Sequence, residues 1–368
     1  MSAPVINDSR TTEPDPTPIG IFYEHNDWFR PLFTELDRRG IPYRKLPASD
    51  QHFDPSEAIS PFSLLLNRMS PSAYLRGGTT AIHYTSQYLR HLERLGVRVI
   101  NGSTAWSLEI SKSAQLTLLE ELGLPYPRAR VIHDGAHAPR AAAGLRFPVV
   151  VKPNVGGSGA GVTRFETPEG LQAAAEAGTL ELGIDGTALV QEFIPARDGR
   201  IVRVEVLNGE YLYAIRIYTP GDQFNLCPAD VCQGTDGARL ERSACAVDAP
   251  ENDLRVEGYD PPEKVKTAVE TITRAAGIEI GGVEYLIDDR DGQLYYYDVN
   301  ALSNFVADAP RVVGFDAFAR LVDWLEAELG AVGAGGSATA DTTSEGAPGT
   351  EGMPPGTVPS PTLAGEVA

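Results

Sequence analysis

The sequence predicts a mixed α/β (α+β) protein, and three observations carry that prediction. From residue 18 to about 105, short apolar runs alternate with stretches of helical periodicity. Beyond that region the strand-like runs come in hairpin pairs, one of them joined by Asn208-Gly209. Hydrophobic residues make up 42% of the 368, enough for a sizeable core, and no apolar run approaches the roughly 18 residues of a membrane span.

The first region opens with the run Ile19-Gly20-Ile21-Phe22-Tyr23. Trp28, Leu32, Phe33 and Leu36 then recur at helical spacing, and Gly40 ends that helix. Ile41-Pro42-Tyr43 starts an extended piece, Ser63 to Asn67 is a buried-strand candidate, and Val97 to Ile100 is another. Between the last two, Tyr88, Leu89, Leu92 and Leu95 mark a helix closed by Gly96. This is the pattern of a small open α/β domain over 18–105.

In the second region, 106–330, Ser111 can cap a helix that carries Leu116, Leu119 and Leu122 and stops at Gly123 and Pro125. Residues 147–152 read as a strand, followed by a glycine loop and a second short strand at Val162 to Phe165. Thr167-Pro168 begins a helix, Ala188 to Ile194 is a strand, and residues 201–207 and 210–218 form a hairpin. Pro261-Pro262 precedes a helix with Val265, Val269, Ile272 and Ala276 on one stripe. A hairpin over 282–300 follows, then an amphipathic helix from the Asp316 cap to Gly330. Residues 1–17 and 331–368 read as disordered, the latter with four acids and neither Lys nor Arg.

Charge and cysteine content narrow the function. Fifty acids against 31 Lys and Arg give −19, which argues against a nucleic-acid or anionic-membrane surface. The polar start, without an apolar stretch, does not resemble a signal peptide, and three cysteines do not make a disulfide scaffold, so a cytoplasmic setting is expected. All three, Cys227, Cys232 and Cys245, fall within 19 residues. They could bind Zn²⁺, line a substrate pocket, or stiffen a loop.

Two segments look chemical. Lys152 enters the loop Gly156-Gly157-Ser158-Gly159-Ala160-Gly161, whose glycines let backbone N–H groups turn toward an anion. It has neither the Gly-Lys-Ser/Thr ending of a Walker loop nor the spacing of a dinucleotide fingerprint, and it runs into a strand, so it reads as a phosphate lid or as a plain flexible hairpin. In the second segment, Asp298 and Asn300 share one strand face, and folding the hairpin about 290 brings Glu284 opposite roughly 296–298. Two carboxylates across a strand pair repel unless a cation separates them. Glu284, Asp298 and the Asn300 carbonyl are hard oxygen donors of the kind Mg²⁺ takes, or else solvated acids on an exposed face.

Taken in order, Lys152 with its glycine flap, the Gln191-Glu192-Phe193-Ile194 strand end and the Glu284…Asp298-Val299-Asn300 hairpin resemble the ATP-grasp superfamily, most closely its RimK-type glutamate-ligase branch. The resemblance implies an ATP-grasp fold over 106–330 behind an N-terminal pre-ATP-grasp domain. It implies that Lys112 and Lys152 are the nucleotide lysines and that Gly156, Gly157, Ser158, Gly159 and Gly161 cover the phosphates. Gln191, Glu192, Phe193 and Ile194 would form the adenine hinge, Arg203 would lie near the phosphates, and Glu284, Asp298 and Asn300 would hold the metal. Independently, Arg68 at the end of a first-domain strand is a candidate anchor for a substrate carboxylate, or a surface arginine.

Three departures stand out. Asp298 occupies a place where the family usually has Glu. Ile201 stands where a ribose-binding acid is common, with Asp198 the nearest acid. The family's basic acceptor loop is replaced by Gln223 to Pro228, in which only Asn225 survives. The resemblance implies a ligase that joins a small-molecule or peptide carboxylate to an amine or thiol through an acyl phosphate, using ATP and Mg²⁺ (or Mn²⁺). A homo-oligomer is left open. A phosphotransferase on the same fold and a non-catalytic nucleotide-binding regulator are the rival readings.

Overall fold

The computed structural model describes residues 19–25, 27–157, 159–218, 255–306 and 308–338. Its first unit comprises β1 (Ile19–Tyr23), α1 (Arg30–Arg39), β2 (Tyr43–Pro47), β3 (Leu64–Arg68), α2 (Thr79–Arg94) and β4 (Arg98–Ile100). The four strands form one parallel sheet in the order β2-β1-β3-β4. Every residue of β1 and β3 is buried, as strands covered on both faces require. Tyr23 pairs with Arg68, so β1 and β3 end at the same edge, and Trp28 and the Ser70–Ser72 turn follow there.

The next unit holds α3 (Ser103–Glu109), α4 (Lys112–Glu121), β5 (Ala129–Ile132), α5 (Ala138–Ala141), β6 (Val149–Pro153), β7 (Thr163–Phe165), α6 (Pro168–Glu176) and β8 (Ala188–Glu192). Its strands form an antiparallel sheet, β5-β8-β6-β7. The two N-caps expected from sequence are made: Ser111 accepts from Ala114 N–H at 3.2 Å, and Thr167 from Gly170 N–H at 3.3 Å.

The third unit contains β9 (Arg200–Leu207), β10 (Glu210–Tyr218), β11 (Arg255–Tyr259), α7 (Glu263–Ala276), β12 (Ile280–Ile287), β13 (Leu294–Asn300), α8 (Ala309–Val312) and α9 (Ala317–Ala338). Its antiparallel sheet runs β11-β10-β9-β12-β13. Asn208 and Gly209 turn the first hairpin at φ 55° and 70°, the left-handed pair a two-residue loop demands. On one face of this sheet Val202, Val204, Val206 and Val283 pack into the core that takes in Val265, Val269 and Ile272 of α7. The other face is left for the site.

Asn101, just after β4, ties the first unit to the third. It is 1% exposed at φ 54°, accepts from the N–H groups of Glu279 and Ile280, and donates to the carbonyls of Ile280 and Ala301. Five short elements, α3, β5, α5, β11 and α8, were not anticipated. Helix α9 also corrects an expectation: it passes Gly330 and continues to Ala338. Glycine disfavours a helix by about 1 kcal/mol without forbidding it, and the last turns carry four, Gly330, Gly333, Gly335 and Gly336. Residues 1–18 and the segment with Asn225, Cys227, Cys232 and Cys245 lie outside the described residues.

Candidate active site

A cavity of about 510 Å³ lies between the two antiparallel sheets, with Trp28 and Ser70 to Ser72 of the first unit at one end. Its floor is the open face of the large sheet, where strand register sets side chains in rows. One row reads Ile215, Arg203, Glu284, Asp298; the adjacent row reads Tyr213, Glu205, Gly282, Asn300. The expected pairing of Glu284 with the 296–298 stretch is thus made with Asp298. A register shift follows directly, because Tyr285 pairs with Tyr296. Tyr297 is the extra, bulged residue, and the bulge lets it line the cavity beside Asp298 and donate to Glu284 Oε2 at 2.7 Å.

Arg203 separates the carboxylates. Its Nε donates to Glu205 Oε1 at 2.6 Å and its Nη1 to Glu284 Oε1 at 3.0 Å. The guanidinium lies over Gly282, where a Cβ would stand 3.0 Å from Nε and Nη2. Gly282 is therefore the seat of this arginine. Burial raises the Glu284 carboxyl, and Asp298 adds to the rise while Arg203 opposes it. Burial would also raise Asp298, but Lys112, whose Nζ is 2.6 Å from Oδ1, carries it below the ordinary aspartate value.

Lys112 is the first residue of α4, and Asn154 at the exit of β6 fixes it there. The Asn154 carbonyl accepts from Lys112 N–H at 3.2 Å and its side chain from Ser113 N–H at 2.9 Å. Lys152 lies on β6 and lines the same cavity. Burial, reinforced by Lys112, pushes it down to about 7. Glu109 is 5% exposed at the end of α3, and burial pushes it up to about 7 while it accepts from Ala301 N–H.

The glycine loop closes over this end. Gly156, Gly157 and Gly159 line the cavity; Gly161 does not, and Ser158 is outside the described residues. A Cβ on Gly157 would stand 3.3 Å from the Ser72 Cβ, so the loop is seated on the first unit and has little room for a larger residue. At the opposite end Gln191, Glu192, Phe193 and Ile194 line the cavity. The Glu192 carboxylate accepts from Arg146 N–H at 2.9 Å, which pins the strand end. Asp288, fully buried in the β12–β13 turn, takes Arg146 at 3.0 Å and Arg290 at 2.7 Å and locks that turn against the hinge, where Asp289 N–H meets the Pro195 carbonyl.

The structure thus brings Lys112, Lys152, Gly156, Gly157, Gly159, the hinge, Arg203, Glu284, Asp298 and Asn300 to one cavity. Arg68 is the exception. It is 1% exposed, lies over the Phe29 ring at 5.1 Å and donates to the Ser303 carbonyl, outside the cavity lining. Its strand end is capped by the 302–306 segment, so it braces that segment instead of facing a substrate. Glu109, Glu205, Tyr297 and Asp288 were missed. For Glu205 the signal was present, since strand alternation from Arg203 places it on the same face.

Residues 110–229 match the family described as the RimK-like ATP-grasp domain. That stretch is an ATP-grasp domain of the RimK type. Among curated relatives, a probable alpha-L-glutamate ligase of Enterobacter sp. (strain 638) is 26% identical over 315 residues, covering 79% of this chain and 94% of the relative. A D-alanine--D-alanine ligase of Ectopseudomonas mendocina (strain ymp) is 28% identical over 227 residues, 60% of this chain and 66% of its own. The ATP-grasp ligase PsnB, in a structure with a phosphomimetic variant of its minimal precursor, Mg and ADP, superposes with a TM-score of 0.60 at 19% identity, covering 86% of this chain and all of that one. D-alanine--D-alanine ligase from Bacillus anthracis gives a TM-score of 0.58 at 17% identity, covering 87% and 99%. The two structures share the ATP-grasp fold with this chain. No described helix is long and apolar enough to cross a membrane.

Proposed function

We propose that this chain is an ATP-dependent carboxylate–amine ligase working through an acyl phosphate. The observation that supports it most is the row Arg203–Glu284–Asp298 set beneath Lys112 and Lys152 at one end of the cavity. Cations at that end suit transferring phosphate, and the contribution of these residues is positioning and charge neutralisation. The γ-phosphoryl group would pass from ATP to a substrate carboxylate, releasing ADP. The amine would then attack the acyl carbon, forming the C–N bond as the C–O bond to phosphate breaks and one proton leaves.

Each chain residue has a task in this reading. The 191–194 strand end would take the adenine, and Lys152, uncharged about half the time near neutrality, would regain its proton beside phosphate. Lys112 and Arg203 would hold the transferring group, and the glycine loop would exclude water. The donor set fits Mg²⁺, or Mn²⁺ in its place. Two carboxylates face each other across a strand pair with an amide one row away, all oxygen donors, and the Asn300 Nδ2 has no hydrogen-bond partner among the described residues. When bound, the metal would neutralise phosphate charge. Small amino acids or a peptide terminus are the substrates in view, in a reducing cytoplasm where ATP is plentiful.

The test is to supply MgATP, hydroxylamine and a pool of carboxylates, and to measure ADP, phosphate and hydroxamate. A ligase gives hydroxamate in step with ADP. ADP without hydroxamate or free phosphate, accompanied by a stable phosphorylated product, would point to a phosphotransferase and refute the ligase reading.

A further inference from the structure

Glu205 is a fifth acid in the cavity wall, beside Glu109, Glu192, Glu284 and Asp298, and the phosphoryl-transfer reading gives it no task. It is 2% exposed, yet only one of its carboxylate oxygens is matched. Oε1 accepts from Arg203 Nε at 2.6 Å, while Oε2 is buried with no hydrogen-bond partner among the described residues. A carboxylate oxygen accepts and never donates, so a buried one calls for an N–H or O–H group, best a cationic one. The protein supplies one arginine to two glutamates here, and leaves one negative charge on this side.

Glu205 Oε2 does not face a metal site. Arg203 stands between Glu205 and Glu284, and a metal shared by the two would have to displace it. The row holding Glu205 runs Tyr213, Glu205, Gly282, Asn300, and Gly282 contributes no side chain, so Glu205 and Asn300 flank the place over which the Arg203 guanidinium lies. The 302–306 segment lies against the Tyr213 end of this row, with Val306 N–H donating to Tyr213 Oη at 2.9 Å. Two hydrogen-bond donors lining the cavity also lack partners among the described residues: Asn300 Nδ2 and the indole N–H of Trp28, whose ring is held by His25 at 4.5 Å and Arg76 at 4.8 Å. An acceptor oxygen and two donors, all buried, are complementary to a cationic amine with a carbonyl or carboxylate nearby.

We infer that Glu205 is the residue that recognises the amine substrate, holding its ammonium group through Oε2 next to the phosphoryl-transfer row. This deepens the ligase reading and rests on it. Glu205→Gln keeps an oxygen for Arg203 and removes the charge the amine needs. The probe is the pool of twenty L-amino acids with MgATP, which supplies both carboxylate and amine, in competition with hydroxylamine, a nucleophile uncharged above neutral pH. Amide and hydroxamate are measured together.

In Glu205→Gln the ratio of amide to hydroxamate should fall at least tenfold, and the Michaelis constant for the amine should rise by a similar factor. Equal losses of amide and hydroxamate, with the amine Michaelis constant unmoved, would make Glu205 a support for Arg203 alone and overturn the assignment. A wild-type chain that forms hydroxamate but no amide from the pool would overturn it too. Binding of a non-hydrolysable MgATP analogue, followed by calorimetry in the wild type, separates the levels: absence of binding defeats the ligase reading itself, whereas binding with an unchanged product ratio in Glu205→Gln defeats only the role of Glu205.

Discussion

Lys152 should make the empty protein less stable than it would be without the charge. The free side chain titrates at 10.5 and the folded one at about 7, because burial and Lys112 both oppose its charge. At about 1.36 kcal/mol per pKa step, that difference is worth about 5 kcal/mol as an upper bound. The ammonium keeps some contact with the cavity, so solvent screening brings the expected figure to about 2 kcal/mol. Below pH 7 the folded protein carries the whole penalty. Between pH 7 and 10.5 the unfolded chain binds a proton that the folded chain does not, so stability rises with pH across that window. Lys152→Met keeps the apolar stem and removes the charge. Urea unfolding without nucleotide should show the variant about 2 kcal/mol more stable than wild type at pH 6, with the gap narrowing by about pH 9 as the linkage requires. Affinity for a MgATP analogue should meanwhile fall by about 1.5–3 kcal/mol, the worth of a hydrogen bond to a charged group. A variant no more stable than wild type at pH 6, or a gap indifferent to pH, would refute the reasoning.

Three further outcomes are expected. Asp298→Asn should cut turnover far more than nucleotide affinity, and since it strands the Lys112 ammonium it should also cost about 3 kcal/mol of stability in unfolding experiments. Gly282→Ala should keep the melting transition within a few degrees but depress turnover at least tenfold, because the new Cβ would stand 3.0 Å from the Arg203 guanidinium; kinetics at saturating ATP will decide. Glu109 titrates at about 7 in the fold against 4.5 when free, so the folded chain keeps a proton the unfolded one has lost, and stability falls as pH rises through that window. Glu109→Gln should flatten this part of the stability–pH curve.

The parts of the fold legible in the sequence are those with local punctuation. Ser111, Thr167, Asp316, Gly40 and the Asn208-Gly209 pair each fix a backbone conformation within a few residues, and the element ends they mark were placed within a residue or two. Strands β5 and β11 were missed for a physical reason. Both are sheet edges with no clean alternation. Val131 of β5 is 54% exposed, and Gly258 of β11 is there because the Val312 carbonyl would come within 2.5 Å of any Cβ. The site shows the same division. Glu284, Asp298 and Asn300 were legible because a hairpin sets its own register. Glu109 was not, because its partner Ala301 is distant in sequence, and the tie from Asp288 to Arg146 was hidden for the same reason. The placement of Arg68 outside the cavity lining was not legible, since nothing local signals that the 302–306 segment would cover its strand end.

Helix α9 packs against α1, with Leu321, Val322 and Leu325 in one core with Leu32 and Leu36, and Arg39 reaches Asp323 at 2.6 Å and Glu326 at 2.7 Å. The opening α/β unit therefore has an apolar flank that, among the described residues, helix α9 at the far end of the sequence covers. On the ribosome, β1 to β4 emerge some 220 residues before α9 does, judged from the 100-to-317 separation. At about 5–20 residues per second, that leaves the flank uncovered for on the order of 10–40 s of synthesis. The nascent chain must pass that interval in the keeping of a chaperone or as a loosely held intermediate, and the domain that comes first in sequence is among the last to be finished.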